Sequence, residues 1–177
     1  MKKLIFVSMI TFVAFSCNQK SEKAEDTKTV STAPMALSMT PTYSSSFQMG
    51  NPDYAAMIVK GSWKDWQDNT MDNMQKWAAD SIVALHSNAT ITRGVDSLMA
   101  SWKKSRAEYS AVTDSIDAVI PVYSTDKKEN WVLVWATEYN TKKDGTKDTT
   151  AVMETWRINK DGKADLLMQF DRHSRKN

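Results

Sequence analysis

The sequence predicts an α+β domain in which a curved antiparallel sheet wraps over N-terminal helices. Three observations predict it: apolar residues recur at helical spacing between residues 51 and 109, apolar runs with strand character fill residues 112–173, and two of the joins between those runs centre on Asp-Gly pairs. With 177 residues, 41% of them hydrophobic and 25% charged, the chain has room for one ordinary domain and is not disordered throughout.

Asn51-Pro52-Asp53 is a helix start, because Asn caps, Pro fits the first helical position and Asp complements the dipole. Ala55, Ile58, Val59, Ser62, Trp63 and Trp66 then form one stripe of a helix ending near Gln67. Thr70 is placed to cap a short second helix through Met74, Trp77 and Ala78. Asp80-Ser81 interrupts that pattern, residues 82–85 read as a strand closed by His86, and residues 90–92 read as its hairpin partner. Gly94 precedes a third helix marked by Val95, Leu98, Met99, Trp102 and Tyr109. The strands that follow are residues 112–122, with Pro121 marking an edge or bulge, then 131–139, 149–158 and 164–173, the last three forming a meander through Asp144-Gly145 and Asp161-Gly162.

The start of the chain has a different character. Lys2 and Lys3 precede an apolar run at residues 4–15, too short for the roughly 17 to 25 residues of a spanning helix, and Ser16 is small enough for a peptidase site. Residues 1–16 are therefore expected to be a signal peptide. Ala14-Phe15-Ser16-Cys17 resembles the lipobox of bacterial lipoproteins, which implies that Cys17 becomes the lipidated first residue of the mature protein. Cys17 is the chain's only cysteine, so no internal disulfide forms. Residues 17–50 then read as the lipidated Cys and a flexible tether rich in Ser, Thr and Lys, without a burial pattern, and residues 51–177 as the folded domain. The expected location is the bacterial cell envelope, lipid-anchored to a membrane, the outer one by preference, with the domain in the periplasm or at the cell surface.

Charge and motif content remove several function classes. Lys plus Arg number 23 against 21 for Asp plus Glu, and loss of Lys2 and Lys3 with the leader leaves the two signs equal, which is no footprint for nucleic acid. The mean hydropathy of -0.50 excludes a polytopic membrane protein. There is no G-x-S-x-G, no P-loop and no dinucleotide fingerprint, and no cofactor is implied. No metal site is expected either, since His86 and His173 are the only histidines and stand far apart without a carboxylate cluster, His173 reading as a solvated end residue.

Trp77-Ala78-Ala79-Asp80-Ser81-Ile82, Arg93-Gly94-Val95-Asp96-Ser97-Leu98 and the run Trp156-Arg157-Ile158-Asn159-Lys160-Asp161-Gly162-Lys163 resemble the nuclear transport factor 2-like superfamily, which includes ketosteroid isomerase, scytalone dehydratase and the SnoaL-like polyketide cyclases. The resemblance spans residues 51–173 and implies a cone, a cystatin-like roll enclosing one apolar pocket. That scaffold hosts enzymes and binding modules alike. Matched to ketosteroid isomerase, His86 stands where that enzyme keeps its general base and Glu154 where it keeps a protonated oxyanion-hole carboxyl; the oxyanion-hole Tyr has no counterpart, Ser62 or Trp63 taking its place. The blander alternatives are a strand-end imidazole bonded to backbone for His86 and an ion pair for Glu154.

Strand register decides which side chains reach the pocket. A two-residue turn at Asp144-Gly145 would pair Lys143 with Thr146, Trp135 with Glu154 and Leu133 with Trp156, all facing inward beside Val152 and with Met168 and Phe170 from the last strand. Together with Trp63 and Trp66, these form the expected ligand lining, and Trp131 would join them. A longer loop would turn Trp131, Trp135 and Tyr139 away. The same register puts Val132, Val134, Ala136, Ala151 and Met153 on the outer face, through which the family resemblance implies a homodimer. The expected function is a membrane-anchored domain that binds a small apolar or aromatic ligand; the alternative is a cofactor-free lyase, isomerase or hydrolase with His86 as base and Glu154 as acid.

Overall fold

Asn51 caps the first helix as its residue type dictates, its side chain accepting a 2.9 Å hydrogen bond from the Asp53 amide. The computed structural model of the chain describes residues 38–173; the leader, Cys17 and the tether as far as residue 37 lie outside the described residues. Helix α1 (Pro52–Ile58) runs through a π-helical turn (Val59–Trp63) into α2 (Lys64–Asp68), and Asn69 in the left-handed conformation ends the run. Gly61 sits in the π turn, where a Cβ would meet the Trp77 indole at 2.7 Å, so the absence of a side chain lets that ring lie against the helix backbone.

A 3₁₀ turn (Met71–Asn73) and α3 (Met74–Trp77) follow. Thr70 does not cap this segment. Its hydroxyl donates instead to Asp65 Oδ1 at 2.8 Å, and the same buried carboxylate accepts from Asn73 Nδ2 at 3.1 Å and from Trp77 Nε1 at 3.0 Å. Asp65 thereby fastens α2 to α3.

Strand β2 (Ala78–Leu85) begins directly after α3, earlier than Asp80-Ser81 suggested, and pairs with β3 (Ile91–Arg93). Helix α4 (Val95–Arg106) stops before Tyr109, which opens β4 (Tyr109–Ser124) rather than closing the helix. Strands β5 (Glu129–Lys142), β6 (Lys147–Ile158) and β7 (Ala164–His173) complete the meander. Taking the short strand β1 (Phe47–Met49) with these, the order is β1-β4-β5-β6-β7-β2-β3 in one curved, open sheet. The pairing of β2 with β7 is parallel, so the sheet is not antiparallel throughout. Strand β1 falls in the stretch read as tether and pairs with β4. Ahead of it, Tyr43 meets the Trp131 ring edge-on and donates to Glu129 at 2.6 Å.

The β5–β6 connection overturns the expected register. Lys142 N donates to Thr146 O at 2.8 Å around a three-residue loop, with Gly145 at φ +86° and Asp144 Oδ1 accepting from the Thr146 amide. Glycine supplies the positive φ that such a loop requires, and the extra residue shifts every pair by one. Val134 therefore faces Glu154, Val132 faces Trp156, and Trp135 faces Met153. Val132, Val134 and Ala136 point into the core with Ile58, Met74, Trp77, Ile82, Leu98, Trp156 and Leu167. Leu133, Trp135, Met168 and Phe170 lie on the opposite face, with Trp131 and Tyr139. The outer row is thus the reverse of the expected one on β5, while Ala151 and Met153 stay outside.

Candidate functional site

The helices cover the sheet incompletely, leaving an open cavity of about 340 Å³. The π turn and α2 supply Ser62, Trp63 and Trp66; α4 supplies Ser101, Trp102 and Ser105; Tyr109 opens β4 beside them. His86, Ser87, Asn88 and Thr90 come from the β2–β3 connection. The floor is the inner face of the sheet beyond the apolar core: Glu138 and Asn140 on β5, Thr150, Val152 and Glu154 on β6, Gln169, Asp171 and His173 on β7.

Glu154 is 4% exposed and doubly bonded, its Oε2 accepting from Trp156 Nε1 at 3.0 Å and its Oε1 from Gln169 Nε2 at 3.2 Å. Burial pushes its carboxyl up to about 8, assisted by the charges of Glu138 and Asp114 and opposed by those two hydrogen bonds. Glu138 accepts from Asn140 Nδ2 at 2.6 Å and from the Trp66 indole N–H, and burial raises its carboxyl too. Asp114 lies across the β4–β5 ladder from Glu138, with both carboxyl oxygens buried and unpartnered. Burial, then the neighbouring Glu138 charge, carries Asp114 up to about 7. Two more buried atoms lack a partner: Asn140 Oδ1 and Trp63 Nε1, both on lining residues. The nearby guanidinium of Arg106 is occupied by the carbonyls of Trp66, Gln67 and Tyr109 at 2.8, 3.0 and 3.2 Å, so it locks the end of α2 to α4 rather than neutralising the carboxyls by direct contact.

His86 Nε2 lies 2.9 Å from Thr92 Oγ1, and the His86 amide donates to Thr90 O. The ring thus has a hydroxyl partner within the hairpin while lining the cavity. Ser87 donates to Asp171 at 2.5 Å across the mouth. His173, at the end of β7, is exposed as expected, and its Nδ1 lies 3.0 Å from Thr150 Oγ1 and 3.2 Å from Asp148 Oδ2.

Of the residues read from the sequence as site candidates, His86, Glu154, Trp63, Trp66 and Val152 line this one cavity. Trp156 is fully buried beneath it and reaches it through its bond to Glu154. Leu133 and Trp135 do not line it because the three-residue loop turns them outward, and Met168 and Phe170 do not because the β6–β7 pairing sets Gln169 opposite Glu154 and puts them beside Thr155 and Met153 on the outer face. Sequence reasoning missed Glu138 and Asn140, although they continue the alternate positions of Val132, Val134 and Ala136; the change from apolar to polar on that face marks where core gives way to cavity. Trp102 was read only as one mark of a helix stripe. Among the described residues no group of three or more His, Cys, Asp or Glu is placed to hold a metal ion.

No family model matches the chain, and no curated protein matches it. Solved structures do. A Mycobacterium tuberculosis epoxide hydrolase of the LEH-like type superposes at a TM-score of 0.55 with 13% identity, covering 68% of this chain and 84% of its own. A second M. tuberculosis protein, in complex with estradiol-17beta-hemisuccinate, gives 0.54 with 14% identity over 66% of this chain and 92% of that one. A Catenulispora acidiphila protein with a ketosteroid isomerase-like fold, in complex with trimethylamine, gives 0.53 with 12% identity over 64% of this chain and 83% of that one. Other matching structures are described as NTF2-like or SnoaL-like. At such identities the likeness speaks for architecture alone: the described residues have an NTF2-like fold.

Proposed function

We propose that the chain is a membrane-anchored binding module that holds a small molecule with an aromatic or apolar body and hydrogen-bonding groups. The observation that carries the reading is a single cavity walled by Trp63, Trp66 and Trp102 and containing lining residues whose buried Asn140 Oδ1 and Trp63 Nε1 have no partner in the protein. A purely apolar ligand, the expectation from sequence, would leave those atoms unsatisfied at about 1 to 3 kcal/mol each. A ligand that brings its own donor and acceptor removes that cost while stacking on the indoles. The complexes of two structural neighbours with a steroid hemisuccinate and with trimethylamine support a small-molecule role for such a cavity.

The enzymatic reading stays as the second one, because a carboxyl displaced to about 8 is a neutral acid at pH 7 and His86 lines the same cavity. The epoxide hydrolase neighbour supports it. In that reading His86 takes a proton from the substrate and Glu154 donates one.

The anchor on Cys17, and with it a place in the cell envelope, rests on the Lys2-Lys3 start, the apolar run at residues 4–15 and the lipobox-like residues. A homodimer through the outer sheet face is supported by the row Leu133, Trp135, Met153, Met168 and Phe170, the last of them 60% exposed.

Tryptophan fluorescence and calorimetry against small aromatic alcohols, amines and steroids test the binding reading. Saturable quenching that weakens at least tenfold in Trp102→Ala is expected. No saturable response from any class would sink it. If a reaction is found, His86→Ala should abolish turnover with affinity nearly unchanged; turnover that survives in His86→Ala removes the catalytic assignment.

A further inference from the structure

We infer that the occupant of this cavity is a small organic cation, a protonated amine held between the tryptophan walls and the carboxyl groups of Glu138 and Glu154. The inference rests on the reading of the cavity as a ligand site and adds the charge of what fills it.

The first ground is the balance of charge around the cavity. Among the described residues its lining contains Glu138, Glu154 and Asp171 but no Lys or Arg. Asp114 stands behind Glu138 with neither carboxyl oxygen bonded. The cation whose field reaches Glu138 and Asp114 is Arg106, and its donors are committed to three backbone carbonyls. The carboxyls therefore have no contacting counter-ion, which disfavours their ionised forms, and an entering anion would disfavour them further. A cation favours them.

The second ground is independent of charge. Asn140 is 3% exposed and sits in the lining, with its amide nitrogen donating to Glu138 and its Oδ1 left without any donor. An acceptor stranded in the wall of a cavity calls for an N–H or O–H from the occupant. An ammonium group supplies that donor and the positive charge together.

The third ground is the aromatic surround. Trp66 meets Trp102 at 6.0 Å and Tyr109 at 6.5 Å, both edge-on, so the rings stand at steep angles to one another and present π faces in more than one direction. Such faces attract a cation, tryptophan most strongly.

Cation binding must also move protons. The titratable groups that line the site are Glu138, Glu154, Asp171, His173 and Tyr109 from the sheet and His86 from the β2–β3 connection, with Asp114, Asp148 and Arg106 standing against that lining. Burial keeps protons on Glu154 and Asp114 near neutral pH, and an ammonium beside them favours their release.

The test is calorimetric titration of the protein at pH 7 with benzylammonium, benzyl alcohol and benzoate, which share a ring and differ in charge. The expected order is benzylammonium at least tenfold tighter than benzyl alcohol, with benzoate weakest. Benzylammonium binding should release protons, read as an enthalpy that changes with the ionisation enthalpy of the buffer. Glu138→Gln should reduce the preference for ammonium over alcohol about tenfold, and an undiminished preference would overturn the role given to its charge. If benzyl alcohol or benzoate binds the wild-type protein as tightly as benzylammonium, the charge inference is overturned and the ligand-site reading stands. If none of the three binds, the inference is overturned together with its basis in the cavity.

Discussion

Replacing Glu154 by Gln should stabilise the protein at alkaline pH and flatten its pH dependence, because a buried carboxyl is the group most costly to ionise in this fold. Folding moves Glu154 from an ordinary 4.5 to about 8, with burial the largest cause. The folded state then holds a proton that the unfolded chain has already lost, so stability is greatest below about pH 4.5 and falls as pH rises toward 8. At about 1.4 kcal/mol for each pH unit over which the two states differ by one proton, the full displacement amounts to about 5 kcal/mol, and the stretch from about pH 5.5 to 7.5 to about 2 kcal/mol. Glutamine keeps an acceptor for Trp156 Nε1, and Gln169 can turn its amide to accept from the new NH₂ group, so the packing survives. Asp114 and Glu138 act in the same direction in both proteins, and the charges they place beside Glu154 are part of the difference measured. Urea denaturation at several pH values measures the quantity directly. Wild type should lose about 2 kcal/mol more than Glu154→Gln across that window. Equal slopes in the two proteins, or a wild type that gains more stability than the variant as pH rises, would refute the assignment of Glu154 as a neutral buried acid.

Four further outcomes follow from other parts of the molecule. Asp65→Ala strands the donors of Thr70, Asn73 and Trp77 and should cost about 3 kcal/mol in urea denaturation, a loss that a surface carboxylate would not produce. A chain begun at Gly50 loses β1 and the Tyr43 contact with Trp131, leaving the β4 edge bare, and its melting midpoint should drop by about 5 °C; an unchanged midpoint would make that segment a passive part of the tether. Trp135→Glu puts a charge in the outer apolar row and should turn a sedimenting dimer into monomer, whereas a wild type that is monomeric at high micromolar concentration removes the dimer. Cys17→Ser should move the protein from the membrane fraction to the soluble one, and continued membrane association would end the lipoprotein reading.

Local rules were enough for much of the architecture. Asn51-Pro52-Asp53 announced a helix start and the residues there cap as their chemistry dictates. The apolar stripe through Trp66 and the strand runs beyond residue 112 sorted themselves into helix and sheet, because periodicity is a property of neighbouring residues and needs no partner. The candidates His86 and Glu154 came from the resemblance to ketosteroid isomerase, and both line the cavity. What escaped was the register of the pairing and the one pair that joins distant segments. One residue more in the loop at Gly145 reversed the faces of Leu133 and Trp135, and the β6–β7 register put Met168 and Phe170 outside, because side chains alternate along a strand and the register alone says which set points inward. The parallel pairing of β2 with β7 joins segments far apart in sequence, and no local pattern encodes it. The cavity's acidity was hidden likewise. Glu138, Asn140 and Asp114 look like ordinary polar strand residues until tertiary packing removes their water, and it is desolvation, a property of the assembled fold, that raises the carboxyls and leaves Asn140 Oδ1 without a partner.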